Sequence, residues 1–167
     1  CGVDVFVSSS NQARKIFGMK FEELIQYVLN DMGLVTSSTT YTRSFKTSSG
    51  SSMVYTYLID LVISDKKIQT SGDHINPSEI IGSIKTSSKD RMQKIFVDKT
   101  LLERVSGIEG IKYVAIFHND VQRSGKDNVS GTFVAKLFLT YGELLTRVDG
   151  VYYLDPPSHI DKRAYTG

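Results

Sequence analysis

Apolar residues recur along the chain at two different spacings, and each spacing predicts a different kind of element. In residues 16–34, IFGMKFEELIQYVLNDMGL, the spacing is that of one face of a helix. The apolar positions of this segment are Phe21, Ile25, Val28, Leu29 and Met32. The helix is expected to end at Gly33, because glycine is common at C-terminal caps. The preceding polar residues 8–15 indicate a turn.

Three later segments have the composition of β-strands. β-branched and aromatic residues, which favour strands, are dense in 53–63, 79–87 and 111–120. Between the last two, residues 88–105 have an apolar side at helical spacing, and Ser87 or Ser88 would cap this helix. The order of helix, two strands, helix and strand predicts an α/β fold, in which a mixed central sheet is flanked by helices.

The remaining segments are less clearly patterned. The Ser/Thr-rich residues 36–52 fit either a β-hairpin or a mobile loop, and they are open to a role as a DNA arm. Polar and turn-forming residues predict loops at 64–78 and 121–131. Residues 132–150 favour a helix toward their end. Tyr152 and Tyr153, before DPP, are expected to pack at the end of the core.

Composition limits the class of protein without naming it. The 167 residues are enough for one domain with a hydrophobic core, so we expect a single domain over 1–167. No apolar run is long enough to span a bilayer, and membrane insertion is not expected. A net charge of +2 is too small to indicate a partner. Because the chain begins with Cys1 and not Met, we expect a fragment of a longer chain.

The cysteine content bears on the cellular compartment. Cys1 is the single cysteine, so neither an internal disulfide nor a cysteine-rich zinc site is possible within this chain. An intracellular, cytoplasmic setting is therefore expected.

Two charged residues interrupt the predicted strands. Asp60 lies within the apolar run LIDLVI, and Lys85 lies within EIIGSIKTS. A buried carboxylate is costly unless it is paired or binds a metal, and an unpaired buried lysine loses its charge. Because consecutive strands are usually neighbours, the two side chains are expected to meet.

Such a pair suits phosphodiester hydrolysis. A carboxylate that holds Mg²⁺ polarises a phosphate and acidifies a water, while a neighbouring ammonium positions that water and offsets the developing charge. The backbone carbonyl of Ile84 is a further candidate ligand, since its side chain faces away from Ser83 and Lys85.

These residues carry a resemblance to a known family. Asp60, the strand ending in SIK at 83–85, and the earlier helix with FEELI at 21–25 resemble the PD-(D/E)xK nuclease superfamily. Residues 82–91, GSIKTSSKDR, and the helix after them are similar to those of type II restriction endonucleases. The resemblance covers roughly residues 17–120.

The resemblance implies a restriction endonuclease-like core and Mg²⁺-dependent cleavage of double-stranded DNA, with Mn²⁺ as a substitute. It also implies products with a 5′-phosphate and a 3′-hydroxyl, a homodimer that cuts both strands, no organic cofactor, and a prokaryotic source.

The sequence departs from the motif at two positions. Ile59 stands where the motif has proline, which has no chemical role, and Ser83 stands where it has the second acid. Glu22 is our candidate replacement, because its spacing to Ile25 places it beside the apolar face of the first helix. Glu23 is expected to face solvent. Glu79 is a second choice, but it begins the strand of Lys85 about 20 Å away, too far for direct ligation.

Several polar residues are candidates for contacts with DNA. Lys89 and Arg91 lie nearest the proposed site and suit phosphates. Asn119 and Gln122 suit adenine and Arg123 suits guanine, although a plain polar loop explains them equally well. For Lys99 and Arg104 we expect a solvated helix face. His74 and His118 lack partners at metal-ligand spacing.

The sequence therefore predicts the catalytic domain of a type II restriction enzyme. Asp60 and Glu22 would bind Mg²⁺, Lys85 would orient the attacking water, and Ser83 would hold a water or support a ligand. Two alternatives stay open. One is a DNA repair or recombination nuclease of the same fold that recognises structure, and the other is a DNA-binding module without catalysis.

Overall fold

The computed structural model describes residues 10–88, 91–124, 128–131 and 135–155. Within these residues the helices are α1 (Ser10–Asp31), α2 (Met92–Ser106) and α3 (Ala135–Leu144). The strands are β1 (Val35–Lys46), β2 (Ser52–Ser64), β3 (Ile80–Ser87), β4 (Tyr113–Asn119), β5 (Val121–Ser124), β6 (Asn128–Gly131) and β7 (Gly150–Asp155). None of the described helices is both long and apolar enough to cross a membrane.

Five strands form a mixed sheet in the order β1-β2-β3-β4-β7. The β1/β2 and β2/β3 pairs are antiparallel, whereas β3/β4 and β4/β7 are parallel. β5 and β6 form a separate antiparallel pair. The α/β fold with a mixed central sheet flanked by helices is therefore the observed architecture.

The sheet has a core on each face. One core joins α2 and α3 to the sheet through Ile95, Phe96, Leu102, Phe138, Tyr141, Tyr41, Ile59, Tyr113 and Phe117, among others. The other joins α1 to the sheet through Phe21, Ile25, Leu61, Ile63, Ile84, Val114 and Ile116. α2 and α3 share a face because the β3–β4 and β4–β7 crossovers step in the same direction, and such connections have one hand.

Helix α1 differs from its prediction in where it begins and in which residues it buries. It begins at Ser10, so the turn expected over 8–15 is wrong for its described part. Gln, Ala, Arg and Lys in that stretch are good helix formers. Val28 and Met32 are 46% and 71% exposed, because the helix contacts the sheet through the narrower row of Phe21, Ile25 and Leu29.

The Ser/Thr-rich segment 36–52 forms a hairpin. β1 pairs with β2 from Val35↔Ser64 to Lys46↔Ser52. At the tip, Gly50 has a φ of 83°, and its N–H donates to the carbonyl of Thr47. Glycine adopts this left-handed conformation without steric cost, which lets the chain reverse.

Two later predictions need correction. The loop expected over 121–131 contains the β5–β6 pair. The parallel edge strand β7 was not predicted, and within it Tyr153 stacks on Phe117 with ring centroids 5.4 Å apart. Tyr152 is 56% exposed, so of the two tyrosines expected to pack, Tyr153 does so.

The helix after β3 begins later than expected. α2 starts at Met92 with Arg91 at the N-cap and no side-chain cap, so capping by Ser87 or Ser88 is wrong. The Ser88 hydroxyl donates instead to Asp120 at 2.8 Å. Lys99 is buried rather than solvated, because its ammonium donates to the carbonyl of Arg147. Arg104 is exposed, as expected.

Glu79 ties the loop 64–78 to the start of β3. Its carboxylate is 2% exposed and accepts the backbone N–H groups of Gln69 at 2.7 Å and Thr70 at 2.9 Å. Burial acts to raise the pKa of Glu79, but the hydrogen bonds from Thr70, Gln69 and Asn76 outweigh it, so that the pKa is lowered. This carboxylate therefore stabilises the loop 64–78 against β3.

We expect Glu79→Gln to lower the free energy of unfolding by about 2 kcal/mol at neutral pH, because hydrogen bonds to a charged acceptor are lost. The wild-type advantage is present above the unfolded pKa and disappears as pH falls through the lowered folded pKa. Urea unfolding at neutral and acid pH measures both. The exposed control Glu109→Gln should change stability little. An equal loss at both pH values would contradict this assignment.

Candidate active site

A β-bulge positions Asp60. Thr39 pairs with Ile59 and Ser37 pairs with Val62, so the two residues Asp60 and Leu61 lie opposite the single residue Ser38. Such bulges redirect side chains and interrupt pairing. On the other side of β2, pairing with β3 is confined to Leu61, Val62 and Ile63. The two strands therefore separate at Asp60 and leave room for its side chain between them.

Donors from β3 converge on the Asp60 carboxylate. Its Oδ2 atom accepts the Lys85 ammonium at 2.5 Å, the backbone N–H of Ile84 at 3.0 Å and the Ser83 hydroxyl at 3.1 Å. Asp60 is 6% exposed, whereas the Lys85 side chain is 23% exposed. The structure thus brings Asp60, Ser83 and Lys85 together, with Lys85 as the member that reaches solvent.

Helix α1 brings a second carboxylate to the same place. Burial raises the pKa of Glu22, the negative charge of Asp60 raises it further, and the charge of Lys85 lowers it. Glu22 is half-buried and close enough to Asp60 and Lys85 for both charges to act on it, whereas Glu23 is exposed and pairs with Lys20 at 2.6 Å. The side-chain amide of Gln26 lies 3.5 Å from the Asp60 carbonyl, which brings the helix against the bulge.

The donor set suits a hard cation bound by few protein ligands. Among the described residues no group of three or more His, Cys, Asp or Glu side chains could hold a metal. Mg²⁺ does not require such a group, because it keeps several waters and is bound through one or two carboxylates plus substrate phosphate. Burial raises the pKa of Glu22 most and the charge of Asp60 raises it further, and a bound cation would relieve the repulsion between the two carboxylates.

Comparisons with known proteins give one structural likeness. No family model matches the sequence, and no curated protein matches it. Among solved structures, the chain is similar to the type IIP restriction endonuclease Kpn2I, with 19% identity and a TM-score of 0.49. The match covers 64% of this chain and 33% of that one, so it spans about a third of the length of Kpn2I.

Of the residues expected to contact DNA, Arg91 and Asn119 have described side chains. Arg91 is exposed just before α2, and Lys89 lies outside the described residues. Asn119 is part-buried at the end of β4, where its side-chain amide lies 2.8 Å from Nδ1 of His118. Gln122 and Arg123 are in β5, and their side chains lie outside the described part of the chain. Their proposed contacts stay predictions.

A buried polar cluster next to Ser83 was missed by sequence reasoning. The Tyr57 hydroxyl lies 3.0 Å from both the Tyr113 hydroxyl and Asp98 Oδ2, and Lys94 donates to both Asp98 oxygens at 2.6 Å. Tyr113 also interacts with the Ser83 hydroxyl. Polar contacts thus run without a break from Lys94 on α2 to Asp60.

The tyrosines of this cluster remain neutral. Burial raises the pKa of Tyr57 and Tyr113, and the charges of Asp98 and Asp60 raise it further. Both hydroxyls therefore keep their protons at physiological pH and fix the surroundings of Ser83. The sequence carries one indication of this cluster. Asp98 follows Lys94 by four residues on the helix after the motif, a spacing at which an acid and a lysine can pair.

Proposed function

We propose that the chain is the catalytic domain of a Mg²⁺-dependent endonuclease that hydrolyses phosphodiester bonds of double-stranded DNA. The observation that carries the proposal is the buried Asp60 carboxylate between β2 and β3, held by Lys85 and faced by Glu22. A strand residue with three donors on one oxygen is fixed in position, as a metal ligand must be.

The residues divide the work as follows. Asp60 and Glu22 would hold the cation, with the Ile84 carbonyl as a further ligand. When bound, Mg²⁺ supplies charge neutralisation at the phosphate and acidifies water. Lys85 orients the water and stabilises the negative charge that builds on the phosphate oxygens. Water adds to phosphorus, the bond to the 3′-oxygen breaks, and a 5′-phosphate and a 3′-hydroxyl result.

Ser83 takes the place of the second acid. Its hydroxyl donates to Asp60 and is itself fixed by the tyrosine cluster, so it keeps the carboxylate oriented without adding charge. Glu22 on α1 supplies the second negative charge from outside the motif. Mn²⁺, which accepts the same oxygen ligands, is expected to substitute for Mg²⁺.

The primary test is cleavage of plasmid and phage DNA by the wild type with Mg²⁺ and with EDTA. Metal-dependent breakage supports the proposal, whereas intact DNA under Mg²⁺ and Mn²⁺, with folded protein that still binds the duplex, favours a DNA-binding module. Discrete fragments from linear DNA identify a type II restriction enzyme, which we propose acts as a homodimer. Cleavage confined to branched or mismatched DNA identifies a structure-specific nuclease.

Glu22→Gln tests the second ligand. We expect the Mg²⁺ concentration for half-maximal cleavage to rise at least about tenfold, because one charged ligand is lost. In the wild type this concentration should also rise as pH falls through the raised pKa of Glu22, and the variant should lack that dependence. Cleavage rates across Mg²⁺ concentration and pH measure both effects. Glu23→Gln, one residue away on the exposed side, should behave as the wild type.

A further inference from the structure

The β1–β2 hairpin extends beyond the rest of the sheet. β2 pairs with β1 back to Ser52, but it pairs with β3 only at residues 61–63. The two strands therefore leave the five-stranded sheet as a ribbon at the point where Asp60 lies. We refer to residues 42–56 of this ribbon as the arm.

The arm is held in shape at its base and at its tip. At the base, the N–H of Thr42 donates to the carbonyl of Gly72 in the loop 64–78 at 2.6 Å. At the tip, the Thr47 hydroxyl lies 2.8 Å from that of Ser49, and the Thr47 N–H donates to the Ser51 carbonyl at 2.9 Å. A surface fixed in this way loses little conformational entropy when a partner binds.

The composition of the arm excludes negative charge. The arm contains no Asp or Glu, but it includes Arg43, Lys46 and eight Ser or Thr residues. The next acid along the chain is Asp60 itself. A surface with cations and hydroxyls but no carboxylate attracts a polyanion and offers hydrogen bonds to its oxygens.

The hydroxyl groups collect on one face of the arm. Tyr41 and Tyr57 pair across the strands and face the core beneath α2, so residues at even positions face the side of α1. On that side the arm exposes Thr42, Ser44, Lys46, Ser52, Val54 and Thr56. Arg43 extends from the other face, paired with Tyr55. Cations therefore lie on both faces of the ribbon.

We propose that the arm binds the sugar–phosphate backbone of the DNA duplex that the Asp60 site cleaves. Arg43 and Lys46 contact phosphates, and the Ser and Thr hydroxyls contact phosphate oxygens beside them. A two-stranded ribbon fits the major groove of B-form DNA, and the ribbon that carries the arm leaves the sheet at Asp60. This inference rests on the proposed function for the identity of the duplex.

The test is binding of a fluorescein-labelled DNA duplex in EDTA, measured by fluorescence anisotropy at several salt concentrations. The Arg43→Ala, Lys46→Ala double variant is compared with the matched control Lys66→Ala, Lys67→Ala, which removes two exposed charges from the loop 64–78. We expect the arm variant to bind at least about tenfold more weakly. Its slope of log K against log salt should be shallower by about 2, close to one per phosphate contact.

The outcomes separate the arm from the proposed function. Equal affinity and equal slope for the arm variant and its control, with unchanged melting temperatures, would overturn the arm, as would tight wild-type binding to single strands but not to duplex. Binding that depends on the arm, without cleavage under Mg²⁺ or Mn²⁺, would keep the arm and reject the nuclease. Cleavage by the arm variant at the wild-type rate would keep the nuclease and reject the role of the arm.

Discussion

Replacement of Lys85 by methionine is expected to reduce DNA cleavage by about 10²- to 10³-fold or more, because the transition state loses a positive charge placed at the reacting phosphate. Methionine has a similar length and no charge, so packing around β3 is largely kept. Asp60 retains the Ser83 hydroxyl and the Ile84 N–H as donors. Cleavage rates under saturating Mg²⁺ measure the effect, and the melting temperature reports folding.

Lys20→Met is the matched control for this experiment. Lys20 is on α1, the same helix as Glu22, but its side chain is 70% exposed and pairs with Glu23. Its loss should leave cleavage near the wild-type rate, since exposed pairs contribute little. Asp60→Asn should reproduce the loss seen with Lys85→Met, because an amide is a poor ligand for a hard cation. Cleavage by folded Lys85→Met at the wild-type rate would remove Lys85 from the mechanism.

Phe96→Ala is expected to have the largest effect on stability, with a loss of about 3–5 kcal/mol in the free energy of unfolding. Phe96 is fully buried on α2. Its ring meets Phe138 edge-on at 5.2 Å and stacks on Tyr141 at 5.7 Å, so it joins α2 to α3. Truncation leaves a cavity between the two helices that the sheet beneath them cannot fill.

Urea unfolding measures this loss, and Val97→Ala provides the comparison on the neighbouring residue. Val97 is 43% exposed, and alanine is a better helix former than valine, so little change is expected there. A loss below about 1 kcal/mol for Phe96→Ala would mean that α3 does not depend on this contact.

The polarity pattern was sufficient to predict the central part of the fold. The apolar runs around Asp60 and Lys85 are buried on both sides, and strands covered on both faces are near-continuous in hydrophobicity. The pairing of these two residues followed from the cost of burying either charge alone. In the structure the Lys85 ammonium lies 2.5 Å from the Asp60 carboxylate, as this cost predicts.

Other elements depend on contacts that the local pattern does not contain. The polar residues of β5 and β6 carry no strand pattern, and among the described strands they pair with each other. β7 is an edge strand whose burial alternates weakly, and its place is determined by parallel pairing with β4. Ser88 has the composition of a cap, but a partner distant in sequence, Asp120, engages its hydroxyl. For β7 and Ser88, partners distant in sequence override the local preference.

In the candidate site, too, some features follow from the local sequence pattern and others depend on distant contacts. The inward direction of Glu22 follows from helix periodicity and its neighbours Phe21 and Ile25. The hydroxyl cluster of Tyr57 and Tyr113 could not be predicted, because it joins strands that are 56 residues apart in sequence. The register shift at Asp60 also has no local signature, since Leu61 and Val62 are equally apolar.

That register shift puts the two halves of β2 out of phase. Before it, Tyr57 and Ile59 belong to the core under α2, and after it Leu61 and Ile63 belong to the core under α1. Asp60 stands at this phase boundary, where the odd-numbered residues of β2 change from one core to the other. Deletion of Asp60 would remove the extra residue, so β2 would alternate regularly and Leu61 and Ile63 would keep their core, but the carboxylate between the strands would be lost. The position of the Asp60 side chain thereby depends on an extra residue in β2 that lets the strand pack into both cores.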